Sequence, residues 1–126
     1  MNVVDSSGWL EYLADGPNAA YFAPAIERTV DRLVPTLSIF EVFKRVMGQR
    51  DESSALQAVA LMHQGQLVDL TAPLALDAAR LSRIAGLPMA DSIMLATARA
   101  HGATLWTQEA DFKGLPDVRF KPAQTR

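Results

Sequence analysis

Short apolar runs alternate along this chain with longer segments in which apolar residues return every three or four positions. That alternation predicts strands feeding helices. The first run, Asn2–Val4, reads as a buried strand, and Ser7–Leu13 as the helix it feeds, broken by Gly16-Pro17. In "YFAPAIERTVDRL" the spacing of Phe22, Ile26, Val30 and Leu33 predicts a helix with one buried face. Pro24 is placed in its first turn, where a missing N–H costs least. "LVPTLS" predicts a second strand, followed by the helical "IFEVFKRVMGQ". "DESSALQAVALMHQG" opens on acids and serines suited to a first turn and closes on Gly65. "LVDL" predicts another strand, and "TAPLALDAARLSRIAGL" a helix with Pro73 near its start and Gly86 at its end. "PMADSIMLATARAHGA" is apolar on nearly every side and is therefore a central helix. The strand "TLWT", the turn "EADFKGLP" and the strand "VRF" complete the pattern.

Repeated βα units predict an α/β fold, a mainly parallel sheet with helices on both faces. Ligands of such sheets gather beyond the C-terminal ends of the strands. At 126 residues and 49% hydrophobic, residues 1–126 are expected to form one domain. The formal charge of -2 gives no global basic field, so contact with a polyanion needs a local patch or metal ions. Cysteine is absent, which removes disulfides, thiolate nucleophiles and zinc-thiolate sites. No signal-peptide pattern and no span of roughly 20 apolar residues is present. The expectation is a soluble cytoplasmic protein with no membrane contact.

The candidate chemistry is acidic. Asp5 closes the first strand just where the chain turns into a helix. Glu41 stands in "SIFEVFK", Asp91 in "LPMADSIML", and Glu109 and Asp111 follow the strand "TLWT" in "TQEADF". Burying a lone carboxylate is costly, and several together raise one another's pKa values. A hard divalent cation relieves both penalties, because it prefers carboxylate and water oxygens. Each acid also has a plain structural reading. Asp5 suits a helix N-cap, Glu41 an amphipathic helix surface, Asp91 a helix first turn, and Glu109 and Asp111 a polar turn. Those readings do not account for the conjunction.

The stretches "VVDSSGWLEYL", "PTLSIFEV", "LPMADSIMLATARAHGATLWT" and "TQEADFKGLPDVRF" together resemble a PIN domain, specifically a VapC-type toxin of a bacterial type II toxin–antitoxin system. The resemblance covers nearly the whole chain. It implies a three-layer α/β/α sandwich and a Mg²⁺- or Mn²⁺-dependent endoribonuclease, usually a homodimer, neutralised by a cognate VapB-type antitoxin. Asp5, Glu41 and Asp91 match the first three site acids, and Asp111 the fourth; Asp5, Asp91 and Asp111 are the implied metal ligands. Many relatives carry a further Asp where this chain has Glu109, which leaves Glu109 as a second candidate at that position. Ser7 and Thr107 match hydroxyl positions beside the acids. The implied reaction is in-line attack of a metal-activated water on an RNA phosphodiester, giving 5′-phosphate and 3′-hydroxyl ends. Transfer, ribosomal and messenger RNA are all precedented substrates.

His63 and His101 read as helix-surface and helix-end residues, not ligands. Lys44, Arg45, Arg50 and Lys113 are candidates for an RNA-facing groove, or a solvated face. Trp9 and Trp106 read as core or interface residues. The "AAYFAPAIERTVDRLV" helix and the Phe40/Phe43/Val46/Met47 face offer more apolar surface than a small core needs. They are candidate contacts for a second copy and an antitoxin. A haloacid-dehalogenase-like phosphatase requires Asp-x-Asp where this chain reads Asp5-Ser6-Ser7, and a phospho-receiver domain requires an acid after the third strand. The remaining alternative is a PIN-like domain that has lost catalysis and acts only as an RNA- or protein-binding module.

Overall fold

The computed structural model describes residues 1–125, and its organisation follows from side-chain alternation in the strands. β1 (Asn2–Val4), β2 (Arg32–Pro35), β3 (Gln66–Val68), β4 (Thr104–Thr107) and β5 (Val118–Phe120) form one wholly parallel sheet in the order β3-β2-β1-β4-β5. Successive side chains point to opposite faces. Val3, Leu33 and Leu105 therefore enter one core with Met94, Leu95 and Phe112. Val4, Val34 and Trp106 enter the other with Trp9, Phe22 and Val42. The two cores make the three-layer α/β/α architecture.

The second of those cores is covered by α1 (Ser6–Leu13), α2 (Ala19–Glu27), α3 (Thr36–Gln49) and α4 (Glu52–Met62). The first is covered by α6 (Met89–Ala100), on which α5 (Ala72–Ala85) packs. α6 is buried continuously from Ser92 to Ala98, as its all-round apolar pattern predicts. α5 is capped by Thr71 and ends on Gly86 in the left-handed conformation at φ 69. No helix among the described residues is long and apolar enough to cross a membrane.

One stretch departs from the pattern. Helical spacing carries the second helix through Val30 to Leu33, yet α2 stops at Glu27, Val30 is 81% exposed, and Leu33 belongs to β2. The coincidence of Val30 with a helical face spans a real break, a single 3₁₀ turn at Thr29–Asp31. Pro24 lies well inside α2, not in its first turn, because the helix begins at Ala19. Burial of Phe22, Ala25 and Ile26 outweighs the lost backbone hydrogen bond, and the proline itself faces solvent.

α1 approaches the sheet closely enough to require Gly8. A Cβ there would stand 2.6 Å from Val4 Cγ1 and 2.8 Å from Phe22 Cε1. Gly8→Ala is expected to destabilise by about 1–3 kcal/mol, by forcing a crowded core apart. A urea titration measures it, and an unchanged midpoint would show that Phe22 has room to yield.

Candidate active site

β1 connects leftward to β2, whereas β4, arriving after β3, pairs on β1's other side. The strand order therefore reverses between β1 and β4, and a crevice opens beyond their C-terminal ends. Asp5 and Thr107 stand there, joined across the junction. Asp5 N–H donates to the Trp106 carbonyl at 3.1 Å, and Thr107 Oγ1 donates to Asp5 Oδ2 at 2.5 Å. Asp5 is 3% exposed. Its other oxygen accepts from Ser7 Oγ at 2.6 Å and from the Gly8 N–H at 3.0 Å. Asp5 is thus the N-cap of α1, as its plain structural reading expects, and it is at the same time a candidate site acid.

Burial pushes the Asp5 carboxyl up to about 6, against the lowering by the Ser7, Thr107 and Gly8 hydrogen bonds and with a small push from the Glu109 charge. Asp91, in the first turn of α6, is raised further, to about 7. Burial is the main cause, followed by the charges of Glu109 and Asp5, then by its interaction with Asp111. The structure therefore brings Asp5, Asp91, Glu109 and Asp111 into one negative field. Glu109 acts on both buried Asp5 and half-buried Asp91, and its charge on Asp91 outranks that of Asp111. Its backbone is fixed by an N–H bond to Thr107 Oγ1 at 2.9 Å, so one threonine hydroxyl orders both Asp5 and the Glu109 loop.

Glu41 stands apart from that field. It projects from α3 and accepts from Ser6 Oγ at 2.5 Å, bordering an open cleft of about 780 Å³. Ser6, Ser7, Glu109, Lys44 and Arg45 share this lining. Lys44 and Arg45 thus reach the groove, whereas Arg50 lines a neighbouring cleft with Leu13 and Leu61, and Lys113 is exposed in the turn after Phe112. His101 caps the end of α6, with Nδ1 2.9 Å from the Thr97 carbonyl, and His63 caps α4. Trp9 and Trp106 are core residues. The Phe40 face divides: Val46 is buried, while Phe40 and Met47 are 61% and 44% exposed.

Two site residues escape a sequence reading. Ser6 looks like any helix-opening serine until α3 brings Glu41 to it. Asn18, 2% exposed in the turn before α2, donates to Gln108 Oε1 at 3.0 Å and to the Pro122 carbonyl at 2.9 Å. It ties the loop that carries Glu109 to the segment after β5.

The donor chemistry suits a hard cation, since every acid here offers only oxygen and two are burdened by burial and mutual repulsion. Among the described residues, no three acids or histidines converge into a ready-made ion cage. The acids share a field, not a fixed coordination geometry.

A wholly parallel sheet with acids at its switch point defines an α/β protein with a carboxylate site. The chain belongs to the PIN domain family, whose model matches residues 3–118. Its fold is similar to that of a toxin–antitoxin complex from Klebsiella pneumoniae, at 21% identity, TM-score 0.78 and coverage of 94% of this chain and 96% of that one. It is also similar to VapC20 of Mycobacterium tuberculosis, described as a Sarcin-Ricin loop cleaving toxin, at 18% identity, TM-score 0.75 and coverage of 92% and 95%. FitAcB from Neisseria gonorrhoeae matches at 18% identity, TM-score 0.72 and coverage of 95% and 96%. Curated protein sequences yield no match. At these identities the structural likeness speaks for the fold.

Proposed function

We propose that this chain is a VapC-type toxin, a Mg²⁺- or Mn²⁺-dependent endoribonuclease of the cytoplasm, neutralised by a cognate VapB-type antitoxin and working as a homodimer. The observation that carries the reading is the shared field of Asp5, Asp91, Glu109 and Asp111 beside a cleft with Lys44 and Arg45. Among the described residues none of these acids is in a salt bridge, and their charges act on one another instead. The structural neighbours, a toxin–antitoxin complex and a Sarcin-Ricin loop cleaving toxin among them, support the same reading.

In this reading Asp5, Asp91 and Asp111 would hold the metal by drawing together around it, with Glu109 a second candidate for that role. The bound ion supplies Lewis acidity toward a phosphate and makes a water easier to deprotonate. The chain's own residues do the rest. Ser7 and Thr107 fix the Asp5 carboxylate so that one orientation is presented. Glu41, held by Ser6 on the cleft wall, would ligate metal or orient a water from that wall. Lys44 and Arg45 receive the RNA backbone.

Total RNA, incubated with chain freed of antitoxin in Mg²⁺, Mn²⁺ or EDTA, tests the proposal. Discrete cuts that require metal and vanish in Asp5→Asn are expected. Cuts that persist in Asp5→Asn would assign the activity to a contaminant. Metal binding without cleavage would favour the inactive binding-module alternative.

A further inference from the structure

Four cation–aromatic pairs occur among the described residues, and one of them, Arg32 over Trp9, is a core feature. In the other three the cation is not buried, and of their residues Lys44 and Phe40 line the cleft. Lys44 sits over the Phe40 ring at 5.7 Å on the α3 side. Arg119 sits over Trp106 at 4.5 Å, and Lys121 over Tyr21 at 5.8 Å, on the β5 side. Arg119 and Lys121 are two residues apart at an edge strand, so they share one face of the sheet.

The β5 pair is anchored to the acid site through few bonds. Lys121 N–H donates to the Thr107 carbonyl at 3.0 Å, and Thr107 holds Asp5. The next residue, Pro122, is tied through Asn18 to Gln108, which lines the cleft. Among the described residues, none of Lys44, Arg119 and Lys121 is in a salt bridge. The ion pairs among the described residues engage Arg28, Arg80 and Arg99 instead. An arginine held over an indole can keep N–H groups free for phosphate, and that contact removes part of the entropy lost on binding.

We infer that Arg119 and Lys121 form a second phosphate-binding rim, so that a single RNA strand crosses the acid site held by Lys44 over Phe40 on one side and by the β5 pair on the other. This rests on the ribonuclease reading and extends it to the path of the substrate. It also reconciles RNA binding with a chain of net charge -2, because Lys44, Arg119 and Lys121 would supply positive charge locally along the strand.

The test measures the affinity of the cleavage-silenced Asp5→Asn chain for a labelled single-stranded RNA between 50 and 200 mM KCl. Each phosphate contact contributes about 0.7 to the slope of log K against log salt for single strands. Arg119→Gln with Lys121→Gln is expected to reduce that slope by about 1.4, which at 0.1 M salt is roughly a 25-fold weaker complex. Lys44→Gln is expected to reduce it by about 0.7 independently. The metal-induced shift in melting temperature, read on the same substitutions in the chain with Asp5 intact, should not change. RNA that still binds with an unaltered slope in the β5 double variant overturns the inference and leaves Arg119 and Lys121 as covers for Trp106 and Tyr21. A reduced slope for Lys44→Gln alone would preserve the cleft and still overturn the second rim. No binding by the Asp5→Asn parent at any salt would overturn the inference and the ribonuclease reading together. Arg119→Lys, which keeps the charge, should retain most of the slope and shows that a loss in the glutamine variant is not misfolding.

Discussion

Replacing Arg32 with methionine is expected to lower the unfolding free energy by about 3–5 kcal/mol, read as a fall in denaturant midpoint at unchanged m. Arg32 is 1% exposed and is in no salt bridge with a carboxylate among the described residues. Desolvation lowers its pKa, which measures how poorly the interior tolerates the charge, yet a guanidinium stays protonated. The compensation comes from two helix ends. Nη1 donates to the Ile26 carbonyl at 2.5 Å in the last turn of α2, and Nη2 to the Leu61 and Met62 carbonyls at 2.8 and 3.3 Å in the last turn of α4. Each helix C-terminus carries roughly half a negative charge, so two of them balance one arginine. Trp9 adds its ring face at 4.9 Å. Methionine fills comparable space and removes all of those donors, leaving the carbonyls buried and unpaired. A Cβ on Gly65 would stand 2.7 Å from Arg32 Nε, so Gly65→Ala is expected to disturb the same junction. A loss below about 1 kcal/mol in Arg32→Met would show that the helix ends find other donors.

Arg32 also marks the limit of what the sequence discloses. Strands and helices were legible because Val3/Val4, Leu33/Val34 and Leu105/Trp106 supply one apolar residue to each face, and a parallel sheet covered on both sides is the arrangement that buries both. Four of the five candidate acids meet for a related reason, since carboxylates at strand ends and helix starts are carried to the same edge by βα topology, whereas Glu41, within α3, stands apart. Interactions created by tertiary approach were not. Nothing local distinguishes Arg32 from a solvated arginine until α2 and α4 aim their carbonyls at it. The bond from Ser6 to Glu41 spans 35 residues, and that from Asn18 to Gln108 spans 90. Val30 shows the opposite error, a helical coincidence in the sequence that the 3₁₀ turn at Thr29–Asp31 removes.

Asp91→Asn is expected to abolish RNA cleavage by roughly 10³-fold or more and, at the same time, to stabilise the metal-free chain at pH 8. The direction follows from linkage. The folded-state carboxyl titrates near 7 against an ordinary 3.8. Between those values the folded chain holds a proton that the unfolded chain has released, so stability falls as pH rises from about 4 to about 7 and stays low above it. The substituted asparagine would carry no charge to repel Glu109 and Asp5, so the gain is absent at pH 4 and complete at pH 8. Asp91 is only half-buried, which lets water screen it, and about 1–2 kcal/mol is the expected size. Thermal unfolding at pH 4, 6 and 8 without metal, then with Mg²⁺ at pH 8, provides the reading. Magnesium should stabilise the parent chain much more than the variant, because the cation relieves the repulsion that the asparagine has already removed. The bland account of this residue predicts the reverse sign. An acid in the first turn of a helix stabilises it through the macrodipole by about 0.3–1 kcal/mol, so its removal should weaken the chain at pH 8. A loss of stability at pH 8 would therefore make Asp91 a helix-end acid. A gain, paired with loss of cleavage, would make it part of a site maintained for chemistry at the expense of the fold.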